Sequence, residues 1–202
     1  MPIDYKMKKY FFSILLAILL GYSKITYGED FSQVENEGKQ SVTFLAAIGS
    51  YESIDLLLKK TKLISPYSYF VGVGYRSPEV IFNYIRLNVE LLKHFGKQQS
   101  FEMTVYPSIE SPAVYIGNVG FNCGIGDGIS TMVGPYPKFE EYRNVRTRRV
   151  LNFLVIEQNM FLKDSPEHKI TIRWHHRCHC FKTIAPKGAG SNFFGIGFRY
   201  SF

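Results

Sequence analysis

Apolar and polar residues alternate with a period of two along most of the chain after residue 40. In 67–76, for example, tyrosine and valine occupy the odd positions, while serine, glycine and arginine fill most of the even ones. Successive side chains of a strand point to opposite faces, so each such segment predicts a strand with one apolar and one small or polar face. The pattern predicts eight strands, at 41–50, 67–76, 85–92, 101–105, 113–121, 150–162, 169–177 and 192–202.

The contrast between the two faces favours a membrane barrel. The apolar positions are rich in aromatic residues, which make up 16% of the chain, whereas the opposite positions carry glycine, asparagine, glutamate and arginine. A small transmembrane barrel exposes its apolar face to lipid and packs hydrogen-bonded polar side chains inside. The last strand also ends on an aromatic residue, Phe202, as terminal strands of bacterial outer-membrane barrels do. We therefore predict an all-β protein, an eight-stranded antiparallel transmembrane β-barrel, with a soluble lipocalin-like barrel as the alternative.

The connections between the predicted strands differ in length and charge. Three are short, contain proline and carry acidic residues: "RSPEV", "PSIESP" and "KDSPEH". The others are longer and more basic, and the longest is "GDGISTMVGPYPKFEEYRNVRTRR", 126–149. If the short set faces the periplasm, Arg146, Arg148 and Arg149 lie outside, where guanidinium groups bind the phosphates of lipopolysaccharide well. Ordinary solvated loop charge explains the same arginines equally well.

The first 28 residues have the order of an export signal. Basic residues precede an apolar run, 11–20, and small residues precede Glu29. The run is too short to span a bilayer as a helix, which takes about 20 residues. This order of zones predicts a signal peptide at 1–28 and a barrel domain at 29–202. A buried N-terminal helix is the alternative interpretation of the apolar run.

The stretch "RWHHRCHCF", 173–181, crowds three histidines and two cysteines together. On a regular strand His176 and Cys178 point outward with Trp174, while His175, Arg177 and His179 point inward. Titratable groups on a lipid-facing surface are costly, so they indicate a function. An imidazole beside a thiol suits a nucleophile activated by a base.

Alternation also argues against a metal site in this stretch. The ligand types are divided between two faces, and the chain has no C-x-x-C pair and no helical H-x-x-x-H to complete a zinc cage. We therefore predict no metal and no cofactor. The three cysteines of the chain are an odd number, so at least one forms no disulfide within the chain.

The stretch and the segment that follows it, "HHRCHCF…IAPKGAGSNFFGIGFRYSF", resemble the outer-membrane lipid A 3-O-deacylases, the PagL-like family. The resemblance is specific over the last third of the chain and architectural elsewhere. It implies an eight-stranded barrel whose Ser-His-Glu triad lies on the lipid-facing surface. The implied reaction is hydrolysis of the ester-linked 3-hydroxyacyl chain of lipid A, without a metal.

The resemblance assigns roles residue by residue. His176 matches the general base, Cys178 stands where the family has its serine nucleophile, and Asn192 stands where it has glutamate. His179, followed by Cys180, replaces an asparagine that helps to hold the oxyanion. A cysteine remains a nucleophile that histidine activates, and an asparagine orients the imidazole in Cys-His-Asn proteases. The alternative is a catalytically inactive structural or lipopolysaccharide-binding barrel of the outer membrane.

The implied partners are lipid A, as part of lipopolysaccharide, and the lipids of the bacterial cell outer membrane. The net charge of +7 does not make nucleic acid an expected partner of an exported barrel. A homodimer is compatible with the sequence.

Overall fold

The computed structural model describes residues 39–50, 68–81, 85–141, 146–179, 184–186 and 189–202. The predicted signal peptide and Cys180 lie outside these ranges. The described strands are β1 (Ser41–Ser50), β2 (Ser68–Ile81), β3 (Ile85–Gly96), β4 (Phe101–Glu110), β5 (Val114–Ile116), β6 (Val119–Val133), β7 (Val150–Leu162), β8 (Ser165–Cys178) and β9 (Gly190–Ser201), with a 3₁₀-helix at Lys138–Glu140. None of the helical structure in these ranges is long and apolar enough to cross a membrane.

The strands close into an antiparallel barrel. Consecutive strands pair from β1 to β4, β4 pairs with β6, pairing continues in chain order to β9, and β9 returns to β1. The short β5 also pairs with β6, so it prolongs β4 beyond an irregular stretch, 111–113. Counted around the barrel, the described residues therefore form eight strands, which confirms the predicted fold class.

The fifth predicted strand, 113–121, was wrong in its bounds. It crosses a hairpin turn at Gly117–Asn118, and β6 then runs on to Val133, through residues that were assigned to the long loop. Because of the glycines at inward positions of β6, the sequence pattern predicted a loop there, but in the structure these glycines make room for a neighbouring side chain. A Cβ on Gly126 would lie 2.5 Å from Cδ2 of Tyr106, whose ring is buried in the lumen. The connection between β6 and β7 therefore covers 134–149 and is shorter than the predicted loop, 126–149.

The outward face of the barrel is a band of large apolar side chains. Phe44 is 62% exposed, Leu91 57% and Ile172 63%. These residues lie on the parity that the alternation assigned to lipid. A continuous apolar surface of this size is unusual on a soluble monomer but matches the hydrocarbon core of a bilayer. The band therefore favours the transmembrane barrel over the lipocalin-like alternative.

Ion pairs fill the part of the lumen near the end where β1 begins. Arg173 donates to both carboxylate oxygens of Glu90, at 2.6 and 2.8 Å. Arg199 donates to Glu157 at 2.7 Å. Buried charges are tolerated when they are paired and hydrogen-bonded in this way. The whole network consists of Arg76, Lys169, Arg173, Arg199, Glu90, Glu110 and Glu157.

At the opposite end, the connection between β6 and β7 inserts a carboxylate into the barrel mouth. Glu140, at the end of the 3₁₀-helix, is fully buried and pairs with Arg177 of β8. It also accepts hydrogen bonds from Ser191 at 3.0 Å and from Thr147 at 2.8 Å. The connection is therefore anchored inside the barrel rather than being only a basic external loop.

Candidate functional site

The C-terminal half of β8 divides its ionisable side chains between the two faces of the barrel wall. His175 and Arg177 are fully buried in the lumen, where His175 lies 3.1 Å from Glu102. Trp174, His176 and Cys178 occupy the alternate positions and are partly exposed. The crowded stretch therefore becomes two separate clusters, and the outward one contains the sequence-predicted base and nucleophile.

His176 and Asn192 lie directly opposite each other on β8 and β9. Their side chains are in contact, with Nδ1 of His176 2.7 Å from Oδ1 of Asn192. Trp174 donates its Nε1–H to the same oxygen at 3.0 Å, and its ring stacks on the imidazole with the centroids 5.1 Å apart. The imidazole is thus held by a hydrogen bond and by a stacked ring.

These contacts determine where the imidazole carries its proton. The amide oxygen of Asn192 can only accept hydrogen bonds, so Nδ1 of His176 is the donor. In the neutral ring Nε2 is then the acceptor. An acceptor nitrogen held in one orientation is what a general base requires.

Cys178 is two residues further along the same face, which puts the two Cα atoms about 6.6 Å apart on an extended strand. Its in-register neighbours are Asn152 on β7 and Gly190 on β9. Gly190 has φ +131, and a Cβ there would lie 2.1 Å from the carbonyl oxygen of Arg177. The thiol is therefore flanked by a carboxamide on one side and by bare backbone on the other.

The histidine assigned to the oxyanion, His179, lies beyond the end of the strand. His179 follows the last residue of β8, so strand alternation no longer sets its direction. Its Nδ1 is buried and has no hydrogen-bond partner within the described part of the chain. Cys180 lies outside the described residues.

The three arginines assigned to phosphate are exposed, but they are not equivalent. Arg149 donates to the carbonyl oxygen of Gly134 at 2.7 Å and lies 6.0 Å from the centre of the Tyr136 ring. Part of its guanidinium group is therefore used to hold the connection in place. Arg146 and Arg148 are exposed at the rim.

Cys123 is the one cysteine of the chain outside the stretch 173–181. It lies within β6, where its thiol donates to Oε1 of Gln158 at 3.0 Å. It forms no disulfide bond with another described residue. Among the described residues there is no group of three histidine, cysteine, aspartate or glutamate side chains that could hold a metal ion.

Sequence reasoning missed part of this surface. Strand alternation placed Trp174 on the outward face but gave it no part in the site, yet it contacts both residues of the His–Asn pair. Its position two residues before His176, on the same face, was the available signal. Asn152 was missed because its proximity to Cys178 depends on the register between β7 and β8.

Comparison with known proteins gives a likeness of fold. No protein-family model and no curated protein sequence matches the chain. The crystal structure of the outer membrane enzyme PagL superimposes with a TM-score of 0.52 at 7% identity, over 79% of this chain and 98% of that one. A de novo designed transmembrane β-barrel gives 0.49 at 9% identity, over 82% and 96%. The N-terminal β-barrel domain of Pseudomonas aeruginosa OprF gives 0.48 at 6% identity, over 82% and 98%. The chain therefore has the fold of an outer-membrane barrel similar to PagL.

Proposed function

We propose that the protein is an outer-membrane esterase that hydrolyses the 3-O-linked hydroxyacyl chain of lipid A. The observation that carries the proposal is the contact between His176 and Asn192 on the lipid-facing surface, two residues from Cys178. Polar groups in such a place are costly unless they act on something that reaches them from the membrane. The likeness of fold to an outer membrane enzyme supports the same conclusion.

In the first half of the reaction, the sulfur of Cys178 attacks the ester carbonyl and its proton passes to Nε2 of His176. A carbon–sulfur bond forms, and the carbonyl electron pair moves onto oxygen. The tetrahedral intermediate collapses by breaking the bond to the sugar oxygen, which takes the proton from the imidazolium. The products are a thioester on Cys178 and lipid A with a free 3-hydroxyl group.

In the second half, water attacks the thioester and gives a proton to Nε2 of His176. The carbon–sulfur bond breaks, the thiolate recovers that proton, and the 3-hydroxy fatty acid leaves. Asn192 cannot balance the imidazolium charge as a carboxylate does, but the thiolate is itself the counter-charge. An asparagine that orients the ring is therefore sufficient for a cysteine nucleophile.

The test is the mass of lipid A from a Gram-negative host that expresses the protein. We expect loss of one 3-hydroxyacyl chain, and we expect Cys178→Ala and His176→Ala to abolish the loss. Cys123→Ala is the matched control, because this thiol lies elsewhere on β6 with Gln158 as its partner. Unchanged lipid A in hosts with different acylation patterns, with the barrel folded in the membrane, would refute the esterase.

That negative result would favour the second candidate, a barrel that binds lipopolysaccharide without cleaving it. Arg146 and Arg148, both exposed at the rim, are the observation behind this candidate. It predicts that the double variant Arg146→Ala/Arg148→Ala retains less lipopolysaccharide when the barrel is purified in a mild detergent. Equal retention by the double variant and the wild type would contradict it.

A further inference from the structure

A second polar pair lies on the lipid-facing surface, on the strands next to the proposed site. Asn152 of β7 donates an Nδ2–H to Oδ1 of Asp127 on β6, at 2.7 Å. Both residues have the outward parity of their strands. The reaction described so far makes no use of them, and polar side chains on such a surface are costly unless they have a function.

The contact with Asp127 fixes the direction in which the amide oxygen points. The nitrogen and the oxygen of a carboxamide lie on opposite sides of its Cβ–Cγ bond, and β6 and β8 lie on opposite sides of β7. Since the nitrogen is turned toward β6, the oxygen is turned toward β8. There Cys178 lies directly opposite Asn152, a position at which Cβ atoms are about 4.5–5.5 Å apart. A hydrogen-bond acceptor therefore faces the proposed nucleophile.

The tilt of the strands can be read from their register. A circuit of directly opposite residues that leaves β1 at Val42 crosses each strand in turn and reaches Gly190 of β9. Gly190 is two residues before Asn192, which lies opposite Ser50, so the circuit returns to β1 ten residues beyond its start. Ten residues of strand are about 33 Å, and eight strands about 4.8 Å apart are about 38 Å wide, so the strands tilt by about 40° from the barrel axis.

This tilt determines the path of an acyl chain held at Cys178. The circuit advances toward the end of the barrel where β1 and β8 finish, so each step from β8 back to β7 leads away from that end. Asn152 therefore lies about 3 Å deeper in the bilayer than Cys178, which is the strand spacing multiplied by the sine of the tilt. A chain that runs from Cys178 toward the middle of the bilayer crosses onto β7 and passes Asn152.

We propose that Asn152 is a specificity-determining residue that accepts a hydrogen bond from the 3-hydroxyl group of the acyl chain, and that Asp127 is its positioning residue. The inference rests on the proposed esterase function. The carbon that bears the 3-hydroxyl lies two bonds from the carbonyl carbon that Cys178 attacks, about 2.5 Å along the chain. That distance matches the difference in depth between Cys178 and Asn152, so the hydroxyl reaches the amide oxygen.

The surrounding hydrocarbon makes this hydrogen bond selective. Lipid tails offer no donor to the amide oxygen and no acceptor to the hydroxyl, so each group is unpaired without the other. An acyl chain without the hydroxyl leaves the oxygen of Asn152 unpaired. A chain whose 3-hydroxyl is itself acylated also lacks the donor. The preferred substrate is therefore an ester of a 3-hydroxy fatty acid whose hydroxyl is free.

Asp127 keeps the acceptor on the side of the thiol. A carboxylate accepts a hydrogen bond from the amide nitrogen and repels the amide oxygen, so it disfavours the amide turned over about its Cβ–Cγ bond. In the turned-over amide the nitrogen faces β8, and a nitrogen of this kind accepts no hydrogen bond from a hydroxyl.

The experiment compares 3-O-acylated glucosamines that differ only in the acyl chain, which is 3-hydroxytetradecanoyl, tetradecanoyl or 3-acetoxytetradecanoyl. The value of kcat/KM is measured for each ester with the purified protein in detergent micelles. We expect the wild type to favour the 3-hydroxy ester about 20-fold over each of the others. Asn152→Leu should reduce this preference to less than about threefold, through lost activity on the 3-hydroxy ester alone. Gln158→Leu, at another outward polar position of β7, is the matched control and should keep the preference.

The positioning role of Asp127 is tested by the same ratio of kcat/KM values. Asp127→Ala frees the amide to turn over, so we expect the preference to fall to about fivefold, whereas Asp127→Asn keeps an acceptor and should retain it within about twofold. A merely structural role would lower kcat/KM for all three esters together and leave the ratio unchanged. An undiminished ratio in Asp127→Ala would overturn the role of Asp127.

The outcomes separate this inference from the esterase. A wild type that cleaves all three esters equally well, or an Asn152→Leu variant with the preference of the wild type, would overturn the role of Asn152 and leave the esterase intact. A wild type that cleaves none of the esters and leaves lipid A unchanged in cells would overturn both. If Asn152→Leu does not fold, Asn152→Ala decides, and an undiminished preference in that variant would overturn the inference.

Discussion

Removing the carboxylate of Glu140 should destabilise the barrel and disturb its outward site from the inside. Glu140 and Arg177 are both fully buried, and Ser191 and Thr147 also donate to this carboxylate. Breaking a buried ion pair by removing one partner costs about 3–5 kcal/mol, because the other charge is left uncompensated. Arg177 keeps a contact with Glu102 at 3.5 Å, so we expect the lower end, about 3 kcal/mol, for Glu140→Ala.

Intrinsic fluorescence provides the assay, because Trp174 is the single tryptophan of the chain and lies beside His176. Unfolding by guanidinium chloride in detergent micelles can be followed through its emission for the wild type and the variants. Glu140→Gln keeps an oxygen acceptor but no charge, so it should lose about half as much free energy of unfolding as Glu140→Ala. Glu141→Gln, one residue further and half-buried, should stay within about 0.5 kcal/mol of the wild type.

A Glu140→Ala variant that unfolds within about 0.5 kcal/mol of the wild type would refute this role of the carboxylate, and so would a Glu141→Gln variant that loses as much free energy of unfolding as Glu140→Ala. The first result would mean that the connection does not stabilise the barrel through its buried carboxylate. The second would mean that any change near the 3₁₀-helix has the same effect, so that the ion pair with Arg177 is not the cause.

Two further predictions concern the surroundings of the thiol and the imidazole. Gly190→Ala should lose about 2 kcal/mol of unfolding free energy and most of the deacylation activity. The reason is that a side chain at φ +131 is strained and its Cβ would lie 2.1 Å from the carbonyl oxygen of Arg177. Wild-type stability together with wild-type kcat would contradict this. Trp174→Phe keeps a stacked ring but removes the Nε1–H that fixes the amide of Asn192. Its kcat should fall about five- to tenfold with an unchanged KM, as expected for one lost neutral hydrogen bond of about 1 kcal/mol, and a change confined to KM would show that Trp174 contacts the substrate instead.

Alternation predicted most strands because it is local. A strand exposes every second residue, so segments such as 67–76 and 169–177 reveal their two faces without reference to any neighbour. The same rule fails in β6, where glycines replace inward side chains beneath the ring of Tyr106. It also leaves β7 ambiguous, and there the structure turns Phe153 and Val155 inward as part of a buried apolar cluster.

The candidate site was predictable only in part for the same reason. The outward pair of His176 and Cys178 follows from their spacing within one strand, and Asn192 was found through a family resemblance. The contacts of Asn192 with Trp174, and of Asn152 with Asp127, join residues of different strands. Neither could be derived from a single strand, since pairing register is set by the closed barrel.

The sequence by itself determined that the chain is a barrel of outer-membrane type, and it placed an imidazole and a thiol together on the lipid side of one strand. Tertiary structure decided what surrounds them: a ring and an amide that hold the imidazole, a glycine and a carboxamide on either side of the thiol, and the Glu140–Arg177 pair behind the wall. The physical reason is the length of chain on which each feature depends. Side-chain alternation acts over two residues, whereas a hydrogen bond between strands requires that the whole barrel has closed in one register.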